Sequence, residues 1–373
     1  MTCSEQHLVR ACGPAWAIAG ALALPFAAAA QSKAPASVTL FGVADVSLVR
    51  ASGSVASKTQ LTSGSQQGSR LGVRGSEDLG GGLRASFWLE AGLLVDDGQG
   101  QRTSANNQPA APADGAQGLT FNRVSYLGLS GPWGLVRAGR DYTPTFLVHT
   151  LFDPSGTVGL MTSQASVSSL TVFAAPSGVR ASNSLAYGTP TFHGFSANVM
   201  LALGENASNA GATRRDGNYE GLRLAYAGGP FSAALAHARY RNAAVNDIKE
   251  TVAGASYDIG STKLWGTVVR TRNGAGRNVR GEMLAVTQGV GAAEFKLSWS
   301  RSRARDASGA PVGSISKIGV GAAYNLSKRT ALYTAAAHVR NSHGAAALPM
   351  PGSAVNGPNQ SARGYEVGLR HTF

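Results

Sequence analysis

The sequence predicts an all-β fold, a transmembrane β-barrel of about sixteen antiparallel strands. Three observations predict it. Apolar residues fall on every second position in segment after segment. Short turns and long polar stretches alternate between those segments. An apolar leader precedes a chain in which no run approaches the length of a membrane helix.

The leader comes first in the chain. Arg10 precedes the apolar run AWAIAGALALPFAAAA, which ends in small residues before Gln31. A charged start, an apolar centre and a small-residue end are the pattern of a secretory signal. We therefore expect residues 1–30 to be a cleaved signal peptide and residues 31–373 to form one barrel domain. Both cysteines, Cys3 and Cys12, fall inside that leader. The exported part is then free of thiols, which excludes a small disulfide-stapled fold.

Period-two segments begin at Val38. SVTLFGVADVSL sets Val38, Leu40, Ala44, Val46 and Leu48 against Asp45 and Ser47. LRASFWLEAG sets Leu83, Ala85, Phe87 and Leu89 against Arg84, Ser86, Trp88 and Glu90. AEFKLSWSRS and SKIGVGAAYN repeat the pattern, and TALYTAAAHV and TKLWGTVVRT blur it. Segments of roughly 9–12 residues suit tilted strands crossing a bilayer, with one face to lipid and the other to a lumen.

The connections sort by length. Short ones fall at 76–82, 130–134, 189–194, 228–230, 258–262, 288–293 and 325–329, and longer ones at 51–67, 96–118, 141–179, 205–217 and 341–360. An up-and-down barrel has all its short turns at one end, whereas a sandwich has no reason to sort its loops this way. The aromatics Phe41, Tyr126, Trp133, Tyr187, Tyr226, Trp299, Tyr324 and Tyr365 lie near segment ends and are expected in interfacial girdles. The last strand, GYEVGLRHTF, carries Tyr365, Val367, Leu369, His371 and Phe373 on one parity. It is expected to close against the first strand and to offer Phe373 to the barrel-assembly machinery.

Enzyme chemistry finds no foothold. No nucleophile elbow, zinc-protease helix, phosphate-binding loop or paired-cysteine site is present. His149, His193, His237, His338, His343 and His371 have no ligand spacing, and Asp96 and Asp97 read as a solvated loop start. No cofactor, no metal and no catalytic residue is expected.

SVTLFGVADVSL, GSRLGVRGSEDLGGGLRASFWLEAG at 68–92, FNRVSYLGLSGPWGLVRAGRDYTP at 121–144, NLSKRTALY at 325–333 and the terminal VGLRHTF resemble, in order, the general porins of β-proteobacteria, a Gram-negative outer-membrane family. The resemblance covers essentially all of residues 37–373. It implies a homotrimer of sixteen-stranded barrels in the outer membrane, each with its third external loop folded inward to narrow the pore.

In such a channel charge is the mechanism. Arg70, Arg74, Arg84, Arg123, Arg137 and Arg223 each sit on the opposite parity from apolar neighbours and are placed on the lumen side. A lipid-facing arginine at mid-bilayer costs roughly 2–4 kcal/mol, which argues against the reverse placement for the group. The expected constriction loop, 141–179, has only Asp141 and Asp153 as acids, with Arg180 just beyond it. Family members commonly set acidic groups on this loop against a basic wall. Here the acidic side is thin, so the basic wall should dominate and favour anions.

The formal net charge is +13. Nucleic acid is not the expected partner, because no stacking module is present and the leader exports the chain. Arg102, Arg214, Arg215, Arg272, Arg277, Arg303 and Arg305 are expected in outer loops, near lipopolysaccharide phosphates. The reading is thus a passive, water-filled diffusion channel for small hydrophilic solutes, anions preferred. The alternative is a channel that binds one phosphorylated or carboxylated nutrient. A saccharide track would need stacked lumen aromatics, and parity offers only Trp88.

Overall fold

The computed structural model describes residues 37–101, 104–108, 118–165 and 177–373. The expected signal peptide and Arg102 lie outside these residues. The first strands are β1 (Ser37–Ser52), β2 (Ser57–Ser63), β3 (Arg70–Gly80), β4 (Leu83–Leu94), the short β5 (Gln99–Gly100), β6 (Val124–Gly131) and β7 (Gly134–Tyr142). A helix, α1 (Pro144–Leu151), precedes β8 (Arg180–Gly188), β9 (Phe195–Ala202), β10 (Tyr219–Gly228), β11 (Phe231–Tyr240) and β12 (Ile248–Ile259). The rest are β13 (Thr262–Asn273), β14 (Asn278–Val290), β15 (Ala293–Arg305), β16 (Pro311–Asn325), β17 (Thr330–Ser342) and β18 (Ala362–Thr372).

Each long strand pairs antiparallel with the next, and β18 pairs with β1, closing the sheet. Two labels do not add wall positions. β2 and β3 pair with successive parts of β1, so they are the two halves of one wall strand. β5 pairs only with the end of β4, as a two-residue hairpin. The wall therefore has sixteen strands. Between β2 and β3 the chain leaves the sheet, and the Asp45 carboxylate accepts hydrogen bonds from the N–H groups of Gln66 and Gln67 at 2.8 and 2.6 Å. Closure of the sheet leaves no unpaired edge, a requirement for backbone in hydrocarbon.

The two faces separate as the alternation demands. Leu40, Leu127, Leu185, Val268, Leu284, Leu297 and Val367 are all exposed on one parity, as a lipid-facing belt must be. Their alternate neighbours point inward. Short turns join strands at one end, for example Gly260 and Gly291, both at φ +59 in two-residue connections where a Cβ would be strained. The chain end joins that rim: Phe373 and Gly42 exchange backbone hydrogen bonds of 3.0 and 3.1 Å, and the Phe373 ring covers the space above Gly42.

Two expected girdle aromatics face the lumen instead. Phe41 lies opposite Gly72, where a side chain would strike its ring, and meets Trp88 edge-on at 5.1 Å. Tyr126 sits beside Arg137, 5.5 Å from ring centre to guanidinium. The expectation rested on nearness to a segment end, but parity decides which medium a strand residue meets. Trp88 is accordingly not alone as an inward aromatic.

Candidate functional site: an arginine cluster and the loop facing it

The long connection after β7 begins as a capped helix. Thr143 is the N-cap, its Oγ1 accepting from the Phe146 N–H at 3.4 Å, and Pro144 occupies the first turn, where no N–H is needed. The helix lies on inward residues of the wall. Thr145 shares a 2.9 Å hydrogen bond with the Tyr240 hydroxyl, and His149 Nε2 is 3.2 Å from Glu250 Oε1. Beyond the helix, Phe152 fills the space over Gly254, and its carbonyl accepts from Thr267.

The described part of the connection continues along the wall. Lys296 donates to the Pro154 carbonyl at 2.9 Å, and Lys317 donates to Thr162 O and Pro349 O, each at 2.8 Å. Leu160 packs over Gly364, Met161 over Gly321 and Ala165 over Gly281. These glycines hold the inward parity of β18, β16 and β14. An inward glycine is space for the loop, so the wall sequence and the loop sequence fit as lock and insert.

Opposite this packed side, β3, β7, β8 and the residue before β6 carry the arginines, and β4 carries their shared carboxylate. Glu90, 4% exposed, is the hub. Arg123 Nε donates to its Oε1 at 2.6 Å, Trp88 Nε1 to its Oε2 at 3.2 Å, and Arg70 Nε stands 4.0 Å away. Arg123 and Arg180 both donate to the Tyr142 hydroxyl at 2.8 Å, and Arg180 also lies over that ring at 4.4 Å. Tyr142 stacks on Phe146 at 5.2 Å, which ties the cluster to α1. Arg137 pairs with Asp141 at 2.7 Å. Arg140 donates to Asn122 O at 2.6 Å and Ser182 Oγ at 2.7 Å. Arg70, Arg123 and Arg137 meet the two carboxylates, whereas Arg180 and Arg140 bond only neutral groups, so five guanidiniums stand against two acids, an excess of three positive charges (5 − 2).

The other sequence-derived residues are dispersed. Arg74 is exposed in the lumen, with Phe41 and Trp88 at 5.3 and 5.0 Å. Arg84 is near the short-turn rim, 3.5 Å from Ser76 Oγ. Arg223 faces inward beside Asn198, and its Nε has no hydrogen-bond partner among the described residues. Asp153 does not face the arginines. It is 4% exposed and accepts from Ser155 N, Ser155 Oγ and Ser163 N, so it holds the loop's own turn together.

Parity reasoning reached Arg123 by a route the structure does not follow. Val124, not Arg123, lies across from the inward Glu90, and Arg123 reaches the lumen because it precedes β6. Glu90, Tyr142 and Arg140 belong to the cluster and were not singled out from sequence. Glu90 shares Trp88's parity, a usable signal. Arg140 is concealed by an irregularity in the β7–β8 pairing after Gly139, opposite Asn183 at φ +55. No group of three His, Cys, Asp or Glu among the described residues could hold a metal ion.

Comparison with known proteins agrees with this architecture. The Gram-negative porin family model matches residues 15–344. The chain is 35% identical to outer membrane porin protein 32 of Delftia acidovorans, over 93% of this chain and 97% of that protein. It is 28% identical to an outer membrane porin protein of Bordetella pertussis, over 87% and 94% of the two chains. Among solved structures, the anion-selective porin from Comamonas acidovorans superposes with a TM-score of 0.77 at 32% identity, covering 91% of this chain and all of that one. The trimer form of OmpT from Vibrio cholerae, 14% identical with a TM-score of 0.63, shares the fold. The chain belongs to the Gram-negative porin family, the pore-forming β-barrels of the outer membrane.

Proposed function

We propose that this porin is a passive, water-filled channel that prefers small anions, and that the Arg70, Arg123, Arg137, Arg140 and Arg180 cluster sets the preference. The supporting observation is the excess of three charges on one wall, facing a loop whose described acid, Asp153, is turned inward on itself. In a narrow passage between low-dielectric walls, that excess lowers the energy of an entering anion and raises that of a cation. Glu90 and Asp141 hold the guanidiniums apart and in place, so they offer donors to a passing ion without collapsing. The similarity to a porin described as anion-selective is consistent with this reading.

The finer parts of the assembly are proposals as well. Residues 1–30 act as a cleaved signal, the barrel assembles as a homotrimer, and the Phe373 strand is read by the assembly machinery. Exposed arginines outside the lumen meet lipopolysaccharide. The channel reading is tested by the reversal potential of a planar bilayer under a salt gradient. Wild type should show anion preference, and R70S/R123S should reduce it. A folded double variant with undiminished preference would remove the cluster from the mechanism. A current that saturates with one phosphorylated or carboxylated solute would favour a binding channel.

A further inference from the structure

The lipid-facing wall carries its own arginine array. On the parity of Leu264, Val268 and Leu284, the strands β13, β14 and β15 place Arg270, Arg280 and Arg303 directly opposite one another. The next row towards the long loops holds Lys249, Arg272, Asn278 and Arg305. The row below holds Glu282 and Arg301. Like charges directly opposite each other in a sheet are destabilising, and here three successive strands repeat the same cation. The single carboxylate among them, Glu282, pairs with Arg303 at 2.7 Å. Among the described residues Arg270, Arg272, Arg280 and Arg301 have no ion pair, although they share the outward parity of Leu264, Val268 and Leu284.

The same strands are hollow just below that array. Ala253 and Ala255 on β12 and Gly266 on β13 put small residues on the outer face, flanked by Leu235, Leu284 and Trp299. Together with outward residues of β9–β11 and of the short-turn rim, Pro132 and Phe192 among them, they line an open and overwhelmingly apolar trough of about 1560 Å³ whose upper end is this hollow. Val268 and Arg270, Glu282 and Arg280, and Trp299 and Arg301 are neighbours of one parity on their strands, so the groove runs up to the arginines without a break.

We propose that this face is a docking site for a phosphorylated glycolipid of the outer leaflet, of lipopolysaccharide type. Its phosphates lie across Arg270, Arg280 and Arg301, and an acyl chain lies in the Ala253–Ala255–Gly266 groove. Charge complementarity selects the occupant. A guanidinium row matches phosphate oxygens by paired N–H donors, and the adjoining groove matches hydrocarbon. A zwitterionic lipid would leave the row's net charge uncompensated. A second copy of this chain would need an acidic strip at the same height. The proposal rests on the outer-membrane placement and deepens the expected contact with lipopolysaccharide, and it does not depend on which ions the lumen passes.

The test is native mass spectrometry of the full barrel in mild detergent, titrated with bisphosphoryl lipid A, its monophosphoryl analogue and phosphatidylcholine. Wild type should bind the bisphosphoryl form at least tenfold more tightly than phosphatidylcholine. R270S/R280S/R301S should lose about tenfold, and A255F should weaken acylated lipid while leaving soluble phosphosugar unaffected. K328S/R329S, on the exposed short turn between β16 and β17 at the opposite rim, is the control and should bind as wild type. If the triple variant folds poorly, R280S alone should lose about threefold. Equal binding of all three lipids, or equal loss in the control variant, overturns the proposal. So does a triple variant that loses its oligomeric state while retaining the lipid, because the face would then be a contact between copies. Reversal potentials of the same variants should match wild type, so failure here and failure of the lumen reading are separate results.

Discussion

Arginines occupy two regions of this barrel, and the regions handle them differently. Inside, Arg123 and Arg70 surround Glu90, Arg137 meets Asp141, and Tyr142 accepts from both Arg123 and Arg180. Outside, Arg270, Arg280 and Arg303 stand in a bare row with Glu282 alone beside them. The inner set is organised by partners that the chain supplies. The outer set is left for the surroundings to neutralise. One residue of strand phase separates the two fates, because successive side chains point to opposite media. Composition therefore says little about what +13 is for, and parity says much.

The hub holds the inner set together, and its loss should have the largest effect. Replacing Glu90 by Gln removes the shared acceptor of the inner set while leaving the outer set untouched. Breaking a buried pair costs about 3–5 kcal/mol, and a wet lumen places this one near the lower end. Urea unfolding should register that loss, and the folded fraction should be more anion-preferring than wild type. A stability equal to wild type would show that Glu90 does not organise the arginines.

The loop offers the next test. Gly254 gives up its side-chain space to Phe152, so Gly254→Leu should push the loop from the wall. Overpacking of this kind costs about 1–3 kcal/mol, and single-channel conductance should change as the loop shifts. Unchanged conductance would mean that the loop's seat does not define the passage. On the outer face, R270S/R280S/R303S should leave conductance and selectivity as they were. A shift there would erase the distinction between the two sets.

The smallest expected effect concerns pH and lies outside the membrane-spanning wall. Burial alone would raise the Asp247 carboxyl, but hydrogen bonds from Arg239, the Asn242 N–H and Arg241, together with the Arg239 charge, hold it below the usual range. A depressed carboxyl contributes stability that is complete above the unfolded value of about 3.9 and fades as pH falls through the lower folded value. The site is a half-buried turn at the barrel's surface, where solvent screens the pairs, so at most about 1 kcal/mol is involved. Protection factors of residues 241–247, each exchange rate being referred to its intrinsic value at the same pH, should therefore be steady from neutral pH down to about pH 4 and fall only below it. A loss of protection beginning near neutrality would contradict the assignment.

Much of the wall was legible because each strand repeats one simple rule. Leu71 and Val73 placed Arg70, and Leu222 and Leu224 placed Arg223, with nothing beyond period two. The rule stops where the ladder does. Arg123 precedes its strand, and Arg140 follows a pairing irregularity, so neither neighbour fixes its direction. The path of the third loop was less legible still. It depends on Gly254, Gly281, Gly321 and Gly364, each far from the loop in sequence, and an inward glycine looks the same as any other until its occupant is known. Asp153 was misleading for a related reason. An acid in a polar loop reads as a charge for the pore, whereas three donors from the loop itself consume it.

In the proposed channel, location on the inner or outer face, and not net charge, decides ion preference. The most direct measurement is the reversal potential of a matched pair, Arg70→Glu in the lumen and Arg280→Glu on the lipid face, under one salt gradient. Each changes the net charge equally. We predict that Arg70→Glu moves the reversal potential towards cation preference and that Arg280→Glu stays at the wild-type value. Equal displacement by both would contradict the claim, because the field of the whole barrel would then set the preference and the cluster around Glu90 would not.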